Sequence, residues 1–535
     1  MSLDDLGEQW PPPQQAVALA QQHVWNAWLI GDPEGLSVAY GVLGANPSTD
    51  FYNVPDAKTG RQSQYAGGVV GLVARLFWGR PAVSGQRKAK LHVPLAADLA
   101  TASADLLFSE PPQFVVASKE PQPKATPGVT IVRTPTELRV DELLNNGDFH
   151  ANLVEGAEIA AALGGAWIRL VWDNEVADYV MVDIVAADAA FGEWRWGVLQ
   201  AVTFFTEYLQ GKDDREVIRH LERHEPGAVY HGLFQGDKDK LGKQLALSDH
   251  PDTLPYEALV NEEGAIVTGV EGITAAYVAN MRPQRRWRKL EAIANLGRSD
   301  YDGVEPMMDS LDETYTSWMR DIRLAKARII VPEYMMRAVD KGKGVIWDED
   351  QEVYTQMNIM AAESGQSQIT LNQFAIRVNE HLATVKQLVD EILRSAGYSS
   401  GTFGAGTDPV RTLTATEVMS REKESNRTRD KKARYWSQAL EPLLTTWLEL
   451  DALIFKTQVT KEPIEVEWAS ATQPDPEALS RTIETLNRAA AVSTEVKVQM
   501  LHPDWDDTKL AEEIALVKAE SGAAVPDIGP LPPGV

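Results

Sequence analysis

Two long helical patterns flank a glycine-rich segment between Val378 and Phe455, and no other feature restricts the possible fold as strongly. Val378, Leu382, Val385, Val389, Ile392 and Ala396 alternate steps of four and three, which keeps apolar side chains on one helix face. Gly397 follows where a helix end favours a left-handed residue. The next residues are Tyr398, Ser399, Ser400, Gly401, Thr402, Phe403, Gly404, Ala405, Gly406 and Thr407, then Asp408-Pro409. They hold too many glycines and hydroxyls for a regular element and predict a long loop. Thr414-Ala415-Thr416-Glu417 has the capping-box spacing that starts a second helix. That helix is polar all round from Ser420 to Arg434, then apolar at Tyr435, Trp436, Leu440, Leu443, Leu444, Trp447, Leu448 and Ile454. A fully polar helix bridges solvent or packs on other charged surfaces, and Pro442 predicts a kink. Loops longer than about 12 residues are uncommon outside functional or linker segments, so this one is either a working element or a plain connection.

At 535 residues the chain exceeds what one hydrophobic core serves, which predicts two or more domains. Its formal net charge of -26 argues against a general nucleic-acid coat, because non-specific affinity comes from Lys and Arg neutralising phosphates. It leaves open a surface that DNA passes without sticking. With no cysteine there is no disulfide framework, thiolate metal site or cysteine nucleophile. The first residues, Met-Ser-Leu-Asp-Asp-Leu-Gly-Glu, lack the charged start and apolar core of a signal peptide. No run of about 18 apolar residues predicts a membrane span. The 15 tryptophans are many; Trp is enriched at interfaces, although core is the commoner fate of any single one.

Along the chain, residues 1–13 read as disordered, and Ala16, Leu19, Ala20, Val24, Trp25, Trp28 and Leu29 as a helix stopped by Gly31 and Pro33. Leu91-His92-Val93-Pro94 reads as a short strand, followed by a helix through Leu106-Leu107-Phe108. One helix is predicted over 137–163, then strands over Ala166–Trp172, Tyr179–Val185 and Gly197–Tyr208. Val217–His224 and Ala228–Phe234 form a hairpin across Glu225-Pro226-Gly227. The basic run at 281–289 either holds phosphate or pairs with carboxylates. A helix starting near Pro306 carries Asp309, Asp312, Glu313 and Asp321 on its polar side. Short strands at Arg328–Val331, Gly344–Trp347 and Val353–Met357 form a small insert before Val378. Beyond Phe455 come a strand at Ile464–Trp468 and helices over Gln473–Ala491 and Asp506–Ser521.

Catalytic patterns are not found. The glycine-rich segment lacks the phosphate-reaching lysine of a Walker loop and follows a helix instead of a strand. His220 and His224 enclose Glu222 in the wrong order for a zinc-protease motif, with no third ligand evident. Asp504-Trp505-Asp506-Asp507 precedes a helix, where carboxylates cap amides. Composition and motif alone describe a large acidic soluble α/β protein, not an evident enzyme, with no catalytic residue, metal or cofactor assigned.

Several stretches together resemble the portal (connector) protein of tailed double-stranded-DNA bacteriophages, in the branch found in actinobacterial siphophages. They are Leu91-His92-Val93-Pro94 with Leu106-Leu107-Phe108-Ser109-Glu110-Pro111-Pro112, Ala279-Asn280-Met281-Arg282-Pro283, and Gly297-Arg298-Ser299-Asp300-Tyr301-Asp302-Gly303 leading to Leu311-Asp312-Glu313. Arg328-Ile329-Ile330-Val331-Pro332, Ser395-Ala396-Gly397-Tyr398 and Thr414-Ala415-Thr416-Glu417-Val418 complete the set, and their order carries the resemblance. The resemblance implies an α+β portal fold: a mixed α/β wing over 1–300, stem helices over 301–327 and 373–397 around a small α/β clip at 328–372, and a tunnel loop at 398–412. A long kinked helix and returning wing strand occupy 413–470, a helical crown 471–521 and a disordered tail 522–535.

The resemblance further implies a homo-oligomeric ring of about twelve copies at one capsid vertex of the virion, assembled in the host cytoplasm. Viral double-stranded DNA would pass through it, and terminase, head-tail adaptor, major capsid and scaffolding proteins would be its partners, with no membrane. Tyr398 to Thr407 become the DNA-facing loop, and Asp309, Asp312, Glu313 and Asp321 the channel-facing stem candidates. Arg421, Lys423, Arg427, Arg429, Lys431, Lys432 and Arg434 are expected to pair with acidic faces of a neighbouring subunit. Another virion structural protein, such as a minor head protein, is the main alternative, and a metal hydrolase using His220 and His224 a distant one.

Overall fold

The structure is a computed structural model and describes residues 3, 8–32, 35–36, 39, 90–117, 133–209, 216–324, 328–330, 370–372, 376–403, 415–469, 476–489, 491–502, 505 and 507–523. The chain forms two compact units, one from residues 1–39, 94–303 and 393–535, the other from 40–93 and 304–392. All strand pairs among the described residues are antiparallel.

The first unit begins with α1 (Pro13–Ile30), α2 (Leu95–Phe108), β1 (Gln113–Val116), α3 (Pro135–Leu143) and α4 (Gly147–Leu163). The single helix expected over 137–163 is two helices, because its asparagines serve the backbone. Asn145 accepts from the Phe114 amide and donates to the Phe114 carbonyl, at 2.8 and 2.9 Å. Asn146 caps α4 by accepting from the Phe149 amide at 2.8 Å. β2 (Gly165–Val171), β3 (Met181–Ala186) and β10 (Ala275–Ala279) make a three-stranded sheet in the order β10-β2-β3. Between them lie β4 (Ala190–Arg195), β5 (Val198–Leu209), β6 (Val217–Glu225), β7 (Ala228–Asp237), β8 (Lys240–Leu245), the short α5 (Leu254–Glu257) and β9 (Ala265–Val267). These strands form a six-stranded sheet ordered β4-β5-β6-β7-β8, with β9 paired to β7. The expected β6–β7 hairpin is present, with Glu225 opposite Ala228 and Gly227 at φ 87° between them.

The start of the chain is not the loose arm its composition suggests. Trp10 donates its amide to Asp239 O at 2.9 Å, and Leu241 donates to Glu8 O at 3.1 Å, lengthening the sheet edge at β8. The Trp10 indole is buried on the sheet, 5.6 Å from the Phe191 ring and 5.3 Å from Phe205, with the Arg219 guanidinium 5.1 Å from its centroid. Leu3 joins the same cluster. An isolated tryptophan among acidic and polar residues gives no period to read, so only the sheet reveals its place.

The second unit contains α6 (Glu305–Leu324), β11 (Arg328–Ile330), β12 (Thr370–Asn372) and most of α7 (Val378–Ala396). β11 pairs with β12, placing Ile329 opposite Leu371. The strands expected at Gly344–Trp347 and Val353–Met357 lie outside the described residues. Leu91–Pro94 is not a strand. Its backbone is held by side chains of α6: the Leu91 amide donates to Thr316 Oγ1 at 2.9 Å and the Val93 amide to Asp312 Oδ1 at 2.8 Å.

The chain then returns to the first unit through α8 (Ala415–Phe455), β13 (Ile464–Glu467), α9 (Pro476–Arg488), α10 (Thr494–Leu501) and α11 (Asp507–Ala523). α8 is helical through Pro442. Its apolar half enters the main core, where Trp436, Leu440, Leu443, Leu444, Trp447 and Leu448 meet Leu153 of α4, Ile168 of β2 and Val278 of β10. The Trp447 indole donates to Val180 O at 2.6 Å. β13 pairs with β1 from the far side of the sequence. The sequence did not signal α10; its β-branched valines favour strands, and a Ser493 cap outweighs them by accepting from the Val496 amide.

Trp10→Ala is expected to lower stability by about 3 to 5 kcal/mol, and to speed amide hydrogen exchange through β6, β7 and β8. Unchanged exchange there would show that the sheet does not depend on the N-terminal strap.

Candidate functional site

α7 ends as its sequence predicts. Gly397 takes φ 93°, the Tyr398 amide donates to Leu393 O at 2.9 Å and the Gly397 amide to Arg394 O at 3.1 Å, the paired bonds of a Schellman cap. The chain then enters the segment expected to be a free loop, but its first residues are anchored. Tyr398 is 2% exposed. Its hydroxyl donates to Asp300 Oδ2 at 2.7 Å. Lys432 of α8 points Nζ at Asp300 Oδ2 (2.6 Å), Ser103 Oγ (2.6 Å) and Tyr398 Oη (2.9 Å), while Asn280 Nδ2 donates to Asp300 Oδ1 at 2.8 Å. Burial pulls the Lys432 ammonium below its usual range against the opposing pull of Asp300, and burial beside Asp300 pushes the Tyr398 phenol well up.

A second tie follows immediately. The Ser399 amide donates to Ser425 Oγ at 3.0 Å, and Thr402 Oγ1 lies 2.8 Å from the same oxygen. Ser425 is fully buried, and Thr428 Oγ1 donates to Gly397 O at 2.7 Å. Ser400–Phe403 makes one 3-10 turn, of which Gly401 is exposed. Tyr398 is therefore a buried anchor and not a channel-facing side chain. Gly404, Ala405, Gly406 and Thr407 lie outside the described residues.

The acidic side of α6 is largely neutralised. Lys90 Nζ sits 2.7 Å from Asp309 and 3.4 Å from Glu313. Asp312 is fully buried, accepting from the Val93 amide and lying 3.0 Å from His92 Nδ1, so it cannot line a channel. Asp321 lies 3.0 Å from His381 Nε2 and 2.8 Å from Arg377 Nη2; these two partners, His381 first, hold its carboxyl below the usual range. Glu313, with its side chain 60% exposed, remains the most accessible of the four.

The polar centre of α8 splits into two sides. Lys432 is used in the Asp300 site. Arg429 is buried, donates to Ala469 O at 2.7 Å and lies 5.9 Å from the centroid of Trp468. These two cations serve their own chain, not a neighbour. In the 281–289 run, Arg286 pairs with Asp302 at 2.6 Å and Arg282 donates to Asn295 O at 2.7 Å.

His220, Glu222 and His224 alternate along β6 and share one face. His224 lies 2.8 Å from Glu222 and 2.6 Å from Thr274 Oγ1, and Arg169 donates to Glu222 at 2.6 Å. His220 Nε2 lies 3.2 Å from His231 Nδ1, and both rings stack with Tyr256. Burial lowers the His231 pKa to about 4, with Glu222 opposing the shift. The Glu222 carboxyl is held at about 2, because His224 and Arg169 outweigh its desolvation. Among the described residues no group of three or more His, Asp or Glu is arranged to hold a metal ion.

The family model for the phage portal protein, SPP1 Gp6-like, matches residues 83–527. The chain belongs to that family. As a portal protein it sits at the portal vertex of the virion capsid. No curated relative matches its sequence. Among solved structures it is similar to the neck of an empty gene transfer agent (GTA) particle computed with C6 symmetry, the neck of a native particle computed with C12 symmetry, and the virion of the native particle. Each likeness has 14% identity and a TM-score of 0.36 and covers 81% of this chain and 99% of the other. Family membership rests on the family model, not on those scores. Among the described residues no helix is long and apolar enough to cross a membrane.

Sequence reasoning named Tyr398 but missed its partners. Asp300 was visible within the Gly297–Gly303 stretch and Lys432 within the charged helix centre, and nothing in their spacing links them. Asp300→Asn is expected to cost about 3 to 5 kcal/mol by leaving Lys432 unpaired, and adding Lys432→Met to recover most of it; urea unfolding of both variants checks this. Acid should weaken the six-stranded sheet. His231 has a folded pKa depressed from 6.5 to about 4, so its contribution is complete above about pH 6.5 and is lost as pH falls toward 4. Glu222, depressed from 4.5 to about 2, acts with the same sign in the lower window, its contribution falling between about 4.5 and 2. Amide protection factors in β6 and β7 that stay constant from pH 7 to 4 would contradict the His231 assignment, and constancy from pH 4.5 to 2 the Glu222 one.

Proposed function

We propose that the chain closes into a ring at the unique vertex of a tailed-phage capsid, of the actinobacterial siphophage branch, and that DNA is packaged and ejected through the central channel. α6 and α7 are the stem helices, residues 328–372 the clip that meets terminase and later the head-tail adaptor, and α9 to α11 the crown. What carries the reading is the family match over residues 83–527, and the pairing of β11 with β12 supports it by closing the segment between α6 and α7 at its root.

Within that reading the DNA-facing part of the loop begins at Gly401, because Tyr398 and Ser399 are held against α8. Glu313 is the stem acid that retains an exposed side chain for a channel surface, while Asp309 is half-buried against Lys90. A passage for DNA favours such a surface, since every fixed cation on a phosphate adds affinity that translocation must break at each step. The chain acts by guiding and holding DNA, and the energy of movement comes from the motor docked to it.

Negative-stain electron microscopy of the purified chain should show rings with a central hole of DNA width. Deleting Ser400–Ala405 should leave those rings intact and sharply reduce DNA packaging or retention in an in vivo complementation assay. A monomer that never forms rings would count against the reading as a whole, and full packaging by the deletion would count against the loop's role.

A further inference from the structure

α8 carries one surface that its own chain leaves unused. Lys423, Arg427, Lys431 and Arg434 are all exposed and follow steps of four, four and three, so they form one stripe along about 16 Å of helix. None has an ion-pair partner among the described residues. The contrast with the other side of the same helix is sharp: Ser425, Thr428, Arg429 and Lys432 are buried, and each is bonded within the chain. The helix is therefore polar all round for two different reasons, with an inner face that anchors the loop root and an outer face that waits for charge.

We infer that this outer stripe is an assembly surface, and that it docks against a carboxylate-rich face of a second copy of the chain. The argument is charge complementarity. Each copy carries a formal net charge of -26, with Asp and Glu numbering 77 against 51 Lys and Arg, so copies brought side by side repel unless cations are placed where they meet. A cyclic assembly joins two different surfaces of identical chains, which lets a basic stripe on one face an acidic surface on the next. Duplex DNA fits less well, because Glu424 and Asp430 are also exposed on or beside this stripe and would confront phosphates. A mixed protein surface with an acidic excess accommodates them. The inference rests on the ring reading above and adds to it the side chains that hold neighbours together.

Mass photometry of the full chain and of K431E/R434E at 0.1 and 1 M NaCl tests it. The reversal is expected to raise the concentration for half-assembly at least about tenfold, as like charges at a contact cost several kcal/mol, with an unchanged far-UV spectrum. Wild-type rings should loosen at 1 M salt, where the screening length falls to about 3 Å. Carbodiimide coupling of mixed 14N and 15N copies should join Lys423 or Lys431 to Asp or Glu of the other isotope. Rings that ignore both reversal and salt, or crosslinks confined to one isotope, would overturn the assignment while leaving the ring standing. Loss of duplex-DNA binding by the variant with assembly unchanged would overturn it in favour of a nucleic-acid surface. A wild-type chain that forms no ring would sink both readings.

Discussion

Removing an ammonium group from water costs several kcal/mol even after relaxation, and Lys432 is removed from water almost completely. The structure offsets that cost by converging Asp300, Ser103 and Tyr398 on one nitrogen. Those groups come from α2, from the stretch before α6 and from just past the end of α7, while the nitrogen belongs to α8. A charge that must be met by all of them admits few alternative arrangements. The pair ties the end of α7 and the Asp300 stretch to α8.

The loop root inherits its order from that site. Ser399 and Thr402 share the buried Ser425 hydroxyl, and Thr428 accepts the task of bonding the cap carbonyl at Gly397. Order in the chain accordingly extends past the helix end, through Thr402.

Charge is handled by the same principle elsewhere. The acids of α6 face Lys90, His92, Arg377 and His381, and the strand residue Glu222 faces Arg169 and His224. A strongly acidic chain keeps its folded core compatible with that composition by pairing the inward carboxylates and leaving the excess outside. Burial lowers the pKa of His220 and His231 beside Glu222, so acid is what disturbs the sheet.

Periodicity in the sequence was enough to determine α7 from Val378 to Ala396, its glycine cap, the β6–β7 hairpin and the apolar half of α8, because each depends on residues within one or two turns of one another. The order of its family motifs likewise pointed to a portal protein. Tertiary structure alone decided that Trp10 straps a sheet edge, that Asn145 and Asn146 divide a helix in two, and that Tyr398 and Asp312 are buried rather than channel-facing. It also decided which cations of α8 point inward. Each of those outcomes turns on a hydrogen bond or ion pair between residues far apart in the chain. A polar side chain looks the same in sequence whether water or a distant partner satisfies it, so only the folded arrangement distinguishes the two.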